Sequence, residues 1–156
     1  MPANPAVIVR RARRDDVGAI VAMLADDLLG RARERLEDPL PETYFLAFER
    51  LDADPNIQLV VAQEEGGAVV GCLQFCILPG LSSQGASRGL IEDVRVASHC
   101  RSRGIGEQLV QWALAEARAK SCKLVELLTH HTRVDAQRFY ERLGFARSHV
   151  GMTIRF

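Results

Sequence analysis

The sequence predicts a mixed α/β (α+β) domain with a mostly antiparallel central sheet flanked by helices. Three observations predict it. Two segments with helical apolar spacing come first, near residues 15–29 and 41–53. A β-rich middle follows, with strand-like runs at 57–64, 68–78 and 90–97 joined as a meander. The second half then alternates helix, strand and helix before two terminal β-like stretches. With 156 residues the chain fits one domain, 1–156, long enough to bury a substantial core.

Each element has its local reason. Residues 6–11 (AVIVRR) alternate apolar and polar as an opening strand does. Asp15 or Asp16 suits the cap of a helix reaching about Leu29, with Val17, Ile20, Val21, Leu24 and Leu28 on one face. Residues 30–41 are charged and contain proline, which reads as a loop or frayed helix. The next helix, 41–53, carries Tyr44, Phe45, Phe48 and Leu51 at helical spacing and stops before Asp54-Pro55. Glu65-Gly66-Gly67 is a hairpin turn between the first two strands of the meander. Residues 79–89 form a Ser/Gly-rich connection. The third helix, 104–120, should bury Leu109, Trp112, Ala113 and Ala117. A strand at 123–128, a helix at 134–142 and β segments at 145–149 and 151–156 close the chain.

Composition narrows the function classes. Twenty Lys+Arg balance twenty Asp+Glu, so the chain lacks the global basic field of a dedicated nucleic-acid binder. No apolar run approaches the ~20 residues of a membrane span, and the N-terminus has no apolar signal region. Cys72, Cys76, Cys100 and Cys122 form no C-x-x-C pair and have no partners at zinc spacing. Free, mostly buried thiols in the reducing cytoplasm are expected, without a metal site and without nucleic-acid or membrane partners.

The chemistry concentrates in Arg101-Ser102-Arg103-Gly104-Ile105-Gly106, between a strand and the third helix. The first backbone N–H groups of a helix have no intrahelical acceptors and sit at the positive end of its dipole. Glycines remove the Cβ atoms that would hold a phosphate away from those amides. Arg101 and Arg103 add charge-assisted donors, so the residue types suit a diphosphate. The pattern is neither a Rossmann fingerprint nor a P-loop. His130 and His131, a tandem pair after the fifth strand, offer two imidazoles to line a cleft but fit a plain loop pair as well.

Residues 91–114 (IEDVRVASHCRSRGIGEQLVQWAL) resemble the acetyl-CoA-binding motif of the GNAT superfamily of N-acetyltransferases. Residues 136–146 (AQRFYERLGFA) are similar to a second motif of that family, A-x-x-F-Y-x-x-x-G-F, at family-like spacing. The resemblance implies acetyl transfer from acetyl-CoA to an amine, in a fold where a splayed strand pair admits the cofactor. It implies that Arg101, Arg103, Gly104, Ile105, Gly106 and Glu107 hold the pyrophosphate. The backbone of Val94, Arg95 and Val96 would pair with the pantetheine arm, and an amide near Val94 or Arg95 would polarise the thioester carbonyl. Tyr140 takes the place of the family's general acid. Glu92 is the candidate base, directly or through water, because an amine of pKa ~10 must lose a proton before it attacks. Arg133 stands where many members carry an asparagine that helps hold the cofactor arm.

The acceptor is an amine of a small molecule or protein. Leu29, Tyr44, Phe45 and Arg88 are candidate acceptor-binding residues. The competing reading is a non-catalytic acetyl-CoA-binding regulatory module, against which Glu92 and Tyr140 argue. A homodimer is what the family resemblance suggests.

Overall fold

A computed structural model describes residues 6–27 and 30–156. The five strands are β1 (Val7–Arg11), β2 (Ile57–Glu64), β3 (Val69–Leu78), β4 (Arg88–Val96) and β5 (Val125–Leu127). They lie side by side in chain order. The first three neighbour pairs are antiparallel, and β4–β5 is parallel. The helices of nine or more residues are α1 (Val17–Ala25), α2 (Glu42–Ala53), α3 (Ile105–Ala119) and α4 (Val134–Arg142).

Alternation along the strands divides the core into two layers, because successive side chains point to opposite faces. Val60, Ala62, Leu73, Phe75 and Ile91 face α3, where Ile105, Leu109, Val110, Ala113 and Ala117 pack on them. Val61 and Cys72 face the other way, against Val17, Ile20, Val21 and Met23 of α1 and Phe48 of α2. The hairpin turn forms as its glycines require: Gly67 takes φ +90° and donates to the Glu64 carbonyl.

The structure corrects four expectations. α1 is shorter than expected and ends at Ala25, because Asp26 and Asp27 would place negative charge at the negative end of the helix dipole. Leu28 and Leu29 lie outside the described residues. Asp16 is not a side-chain cap of α1; its carboxylate accepts from the Arg13 amide at 2.6 Å and from both terminal nitrogens of Arg10 at 2.7 and 3.0 Å. β4 starts at Arg88, so that residue belongs to the strand and not to the connecting loop. The terminal segments 145–149 and 151–156 are not strands. Their alternation is real, yet Val150, Met152, Ile154 and Phe156 all point into solvent, and a strand needs a paired neighbour as well as a pattern.

β5 is shorter than residues 123–128, and its brevity shapes the molecule. Its ladder with β4 runs from Gly89↔Val125 to Ile91↔Leu127, while β4 continues to Val96. The two strands therefore part after Ile91, leaving a fork beside residues 92–96. Among the described residues no helix is long and apolar enough to cross a membrane.

Candidate active site

The fork opens where β4 breaks its own alternation. Gln74 and Cys72, two apart on β3, pair with Glu92 and Arg95, three apart on β4. The extra residue is taken up by a bulge at which Asp93 adopts φ +49°, a left-handed conformation that Asp tolerates better than most residues. Such strain gathers at working sites. The bulge turns Val94 and Val96 toward α3 and leaves Glu92 and Arg95 together on the α1/α2 face.

The loop after β4 leads into α3. Cys100 is buried and anchors it. Gly104 opens the helix at φ +75°, ψ 2°, which a β-branched residue resists. Helix geometry leaves the amides of Ile105, Gly106 and Glu107 without intrahelical acceptors. The Ile105 side chain is fully buried in the core, so only its amide faces the loop's concavity. A Cβ at Gly106 would stand 3.5 Å from Phe139 Cζ and 3.7 Å from Val96 Cγ2, which is ordinary packing distance. The protein's own packing does not demand glycine there, whereas close approach by a ligand would. This cradle fits a diphosphate.

Two arginines rim the cradle, and both are engaged. Arg101 donates to the Asp26 carboxylate at 3.3 Å and to the Val96 carbonyl at 3.3 Å. Arg103 lies 3.1 Å from the Glu64 carboxylate and 3.2 Å from the Cys100 sulfur. Arg133 pairs with Asp27. The end of α1 is thus tied to the cradle loop on one side and to the start of α4 on the other. Sequence reasoning missed Asp26 and Asp27. The signal was present in two acids at a helix C-terminus, where they oppose the dipole and call for a cationic partner elsewhere.

Tyr140 sits on α4 against the α3-side core, with its ring edge-on to Phe139 and Phe145 at 5.0 and 5.8 Å. Burial raises its phenol above the ordinary value, while Arg95 and Arg133 pull it back down. It therefore stays protonated at neutral pH. Glu92 is the first β4 residue past the last β5 pairing. Burial raises its carboxyl, and the neighbouring Asp93 charge raises it further. Gln74 Nε2 lies 3.5 Å from its carboxylate.

Other candidates fall elsewhere. Arg88 donates to Glu126 at 2.8 Å, four strand positions before Glu92, and is not brought to the fork. The Tyr44 hydroxyl donates to Glu34 and accepts from the Arg35 amide, and Phe45 packs under the Arg14 guanidinium; both border the α1/α2 core. Leu29 lies outside the described residues. His130 and His131 stack at 4.4 Å on an exposed turn, with His130 Nδ1 2.8 Å from the Thr132 hydroxyl. Cys72 of β3 is buried against the α1/α2 core, and desolvation pushes its thiol up to about 12, which leaves it inert. Among the described residues no group of three or more His, Cys, Asp or Glu is placed to hold a metal ion.

Comparison with known proteins agrees with this geometry. Residues 13–145 match the Acetyltransferase (GNAT) family. An aminoalkylphosphonate N-acetyltransferase of Salmonella typhimurium is 31% identical over 150 residues, covering 96% of this chain and 91% of its own. A glucosamine 6-phosphate N-acetyltransferase of Trypanosoma brucei brucei is 33% identical over 90 residues, 58% of each chain. A crystal structure from Bacillus halodurans C-125, described as a transcriptional regulator, superposes with a TM-score of 0.93 at 46% identity, over 97% of this chain and all of the other. The chain belongs to the acetyltransferase (GNAT) family and is an N-acetyltransferase.

Proposed function

We propose that the protein moves the acetyl group of acetyl-CoA to the primary amine of a small molecule that also carries a phosphonate or phosphate group. The fork at residues 92–96, opening beside a glycine-led helix start, carries the proposal. The Salmonella and Trypanosoma relatives support the acceptor class, since both are named for amines bearing a phosphorus oxyanion.

Bound acetyl-CoA supplies an activated acetyl group as its thioester. The amides of Gly104, Ile105, Gly106 and Glu107, with Arg101 and Arg103, hold its pyrophosphate; the backbone of Val94, Arg95 and Val96 holds its pantetheine arm. An amide near the bulge polarises the carbonyl. Glu92 takes a proton from the acceptor ammonium, the C–N bond forms as the C–S bond breaks, and Tyr140 gives its phenolic proton to the departing sulfur. The nitrogen sheds its second proton to solvent as it becomes an amide, Glu92 releases its own, and solvent returns one to Tyr140, so one proton is freed per turnover. We assign the reaction to the cytoplasm, in keeping with four free cysteines, and to a homodimer, in keeping with the exposed apolar side chains of residues 150–156.

The test is turnover with a panel of amines, read as product mass and free CoA. The regulator description of the Bacillus halodurans protein favours one second reading, an acyl-CoA-binding module; binding without turnover across the panel would select it.

Two further outcomes follow from the rim and the base. Asp26→Asn should tighten acetyl-CoA binding by up to about fivefold in titration calorimetry. It frees Arg101 from an exposed pair of the kind worth about 0–1 kcal/mol and removes a negative charge beside the phosphates. Weaker binding would exclude Asp26 as a competitor. For Glu92, a raised carboxyl pKa means the basic form is lost at a higher pH than for an ordinary carboxylate as pH falls. The kcat/KM profile should show that acidic limb, and Glu92→Gln should erase it while lowering kcat by about 100-fold. A limb that persists in the variant would assign the base elsewhere.

A further inference from the structure

Arg95 is a mostly buried cation without an adequate counter-charge. Its side chain is 16% exposed, and its Nε is buried with no hydrogen-bond partner among the described residues. One terminal nitrogen donates to the Val94 carbonyl at 2.9 Å, and the other lies 3.9 Å from an Asp93 carboxylate that is itself 56% exposed. A guanidinium has five donors in a planar fork, and burying it is costly unless they are met by a well-placed anion. The Asp93 contact is long and solvent-exposed and leaves Nε unmet, so an external anion is the physical candidate.

The register indicates which ligand. Arg95 lies opposite Cys72 on the α1/α2 face, whereas Val94 and Val96 turn toward α3, whose first turn forms the diphosphate cradle. The orphaned guanidinium is therefore on the opposite face of β4 from the cradle side. It shares its face with Glu92, which pairs with Gln74 two β3 positions from Cys72, a backbone spacing of about 7 Å. A carboxylate for an ammonium and a guanidinium for an oxyanion, based about 7 Å apart along one face, match a short amine with an acidic far end.

Resting on the acceptor reading above, we infer that the Arg95 side chain holds the phosphonate or phosphate of the acceptor while Glu92 receives its ammonium, making Arg95 the residue that selects anionic acceptors. The planar fork suits a phosphorus oxyanion, which it can grip through two parallel N–H donors.

Titration calorimetry with ethylphosphonate tests this without turnover. The wild-type protein should bind it, Arg95→Met should weaken binding at least tenfold, and Arg95→Lys should fall between, since it keeps the charge and loses the fork. No binding to the wild-type protein, or equal affinity in the lysine variant and the wild type, would overturn the inference even if the methionine variant does not fold. In steady state, the kcat/KM ratio of 3-aminopropylphosphonate to propylamine should fall by the same factor in these variants; a ratio that stays constant would overturn it too. Ethylphosphonate binding needs no acetyl transfer, so a lack of turnover with every amine would defeat the acceptor reading while leaving this binding result to stand or fall alone.

Discussion

Gly104→Val is expected to abolish acetyl-CoA binding, with no saturable heat in titration calorimetry at concentrations that saturate the wild-type protein. Two effects act together. Gly104 holds φ +75°, where a β-branched residue is strained by about 1–3 kcal/mol, so the turn into α3 must rebuild itself. The branched side chain also projects from the loop whose amides are proposed to receive the diphosphate. Loss of binding with an intact fold, checked by circular dichroism, separates the cradle from general stability. Unchanged affinity would remove this loop from the cofactor site.

Tyr140→Phe should act differently, lowering kcat by about 100- to 1,000-fold while leaving the KM for acetyl-CoA within a few-fold. The phenyl ring keeps the edge-on contacts with Phe139 and Phe145, so packing survives and only the proton is lost. Burial raises the phenol and the two nearby arginines lower it, so the wild-type enzyme keeps its acid form through neutrality and loses it only on the alkaline side. The variant should lack that alkaline limb. Equal turnover would take Tyr140 out of the mechanism, and a large rise in KM would point to a packing role.

Much of this architecture is legible in the sequence because burial imposes periodicity. The α3 stripe of Leu109, Ala113 and Ala117 is buried as its spacing requires, and Glu65-Gly66-Gly67 turns where glycine permits. The Arg101–Gly106 segment is legible for a different reason, since helix starts rich in glycine have a chemistry of their own. What escapes is whatever depends on a partner elsewhere in the chain. Residues 145–156 alternate well enough, but alternation does not supply a neighbouring edge. The acids Asp26 and Asp27 acquire meaning only once Arg101 and Arg133 are beside them. The Arg95 side chain is hidden most deeply: strict alternation from Glu92 sends it to the opposite face, and only the left-handed Asp93 brings it back.

That one irregular residue decides which face of β4 each later side chain takes. Ironing the bulge out with every residue kept would swing the guanidinium across to the α3 layer and drive Val94 and Val96 out of it, whereas deleting position 93 would leave Glu92 and Arg95 two apart and still on one face. An added residue between Glu92 and Val96 exchanges the two faces unless a second bulge absorbs it, so gain of length there costs the site more than substitution at an exposed position does.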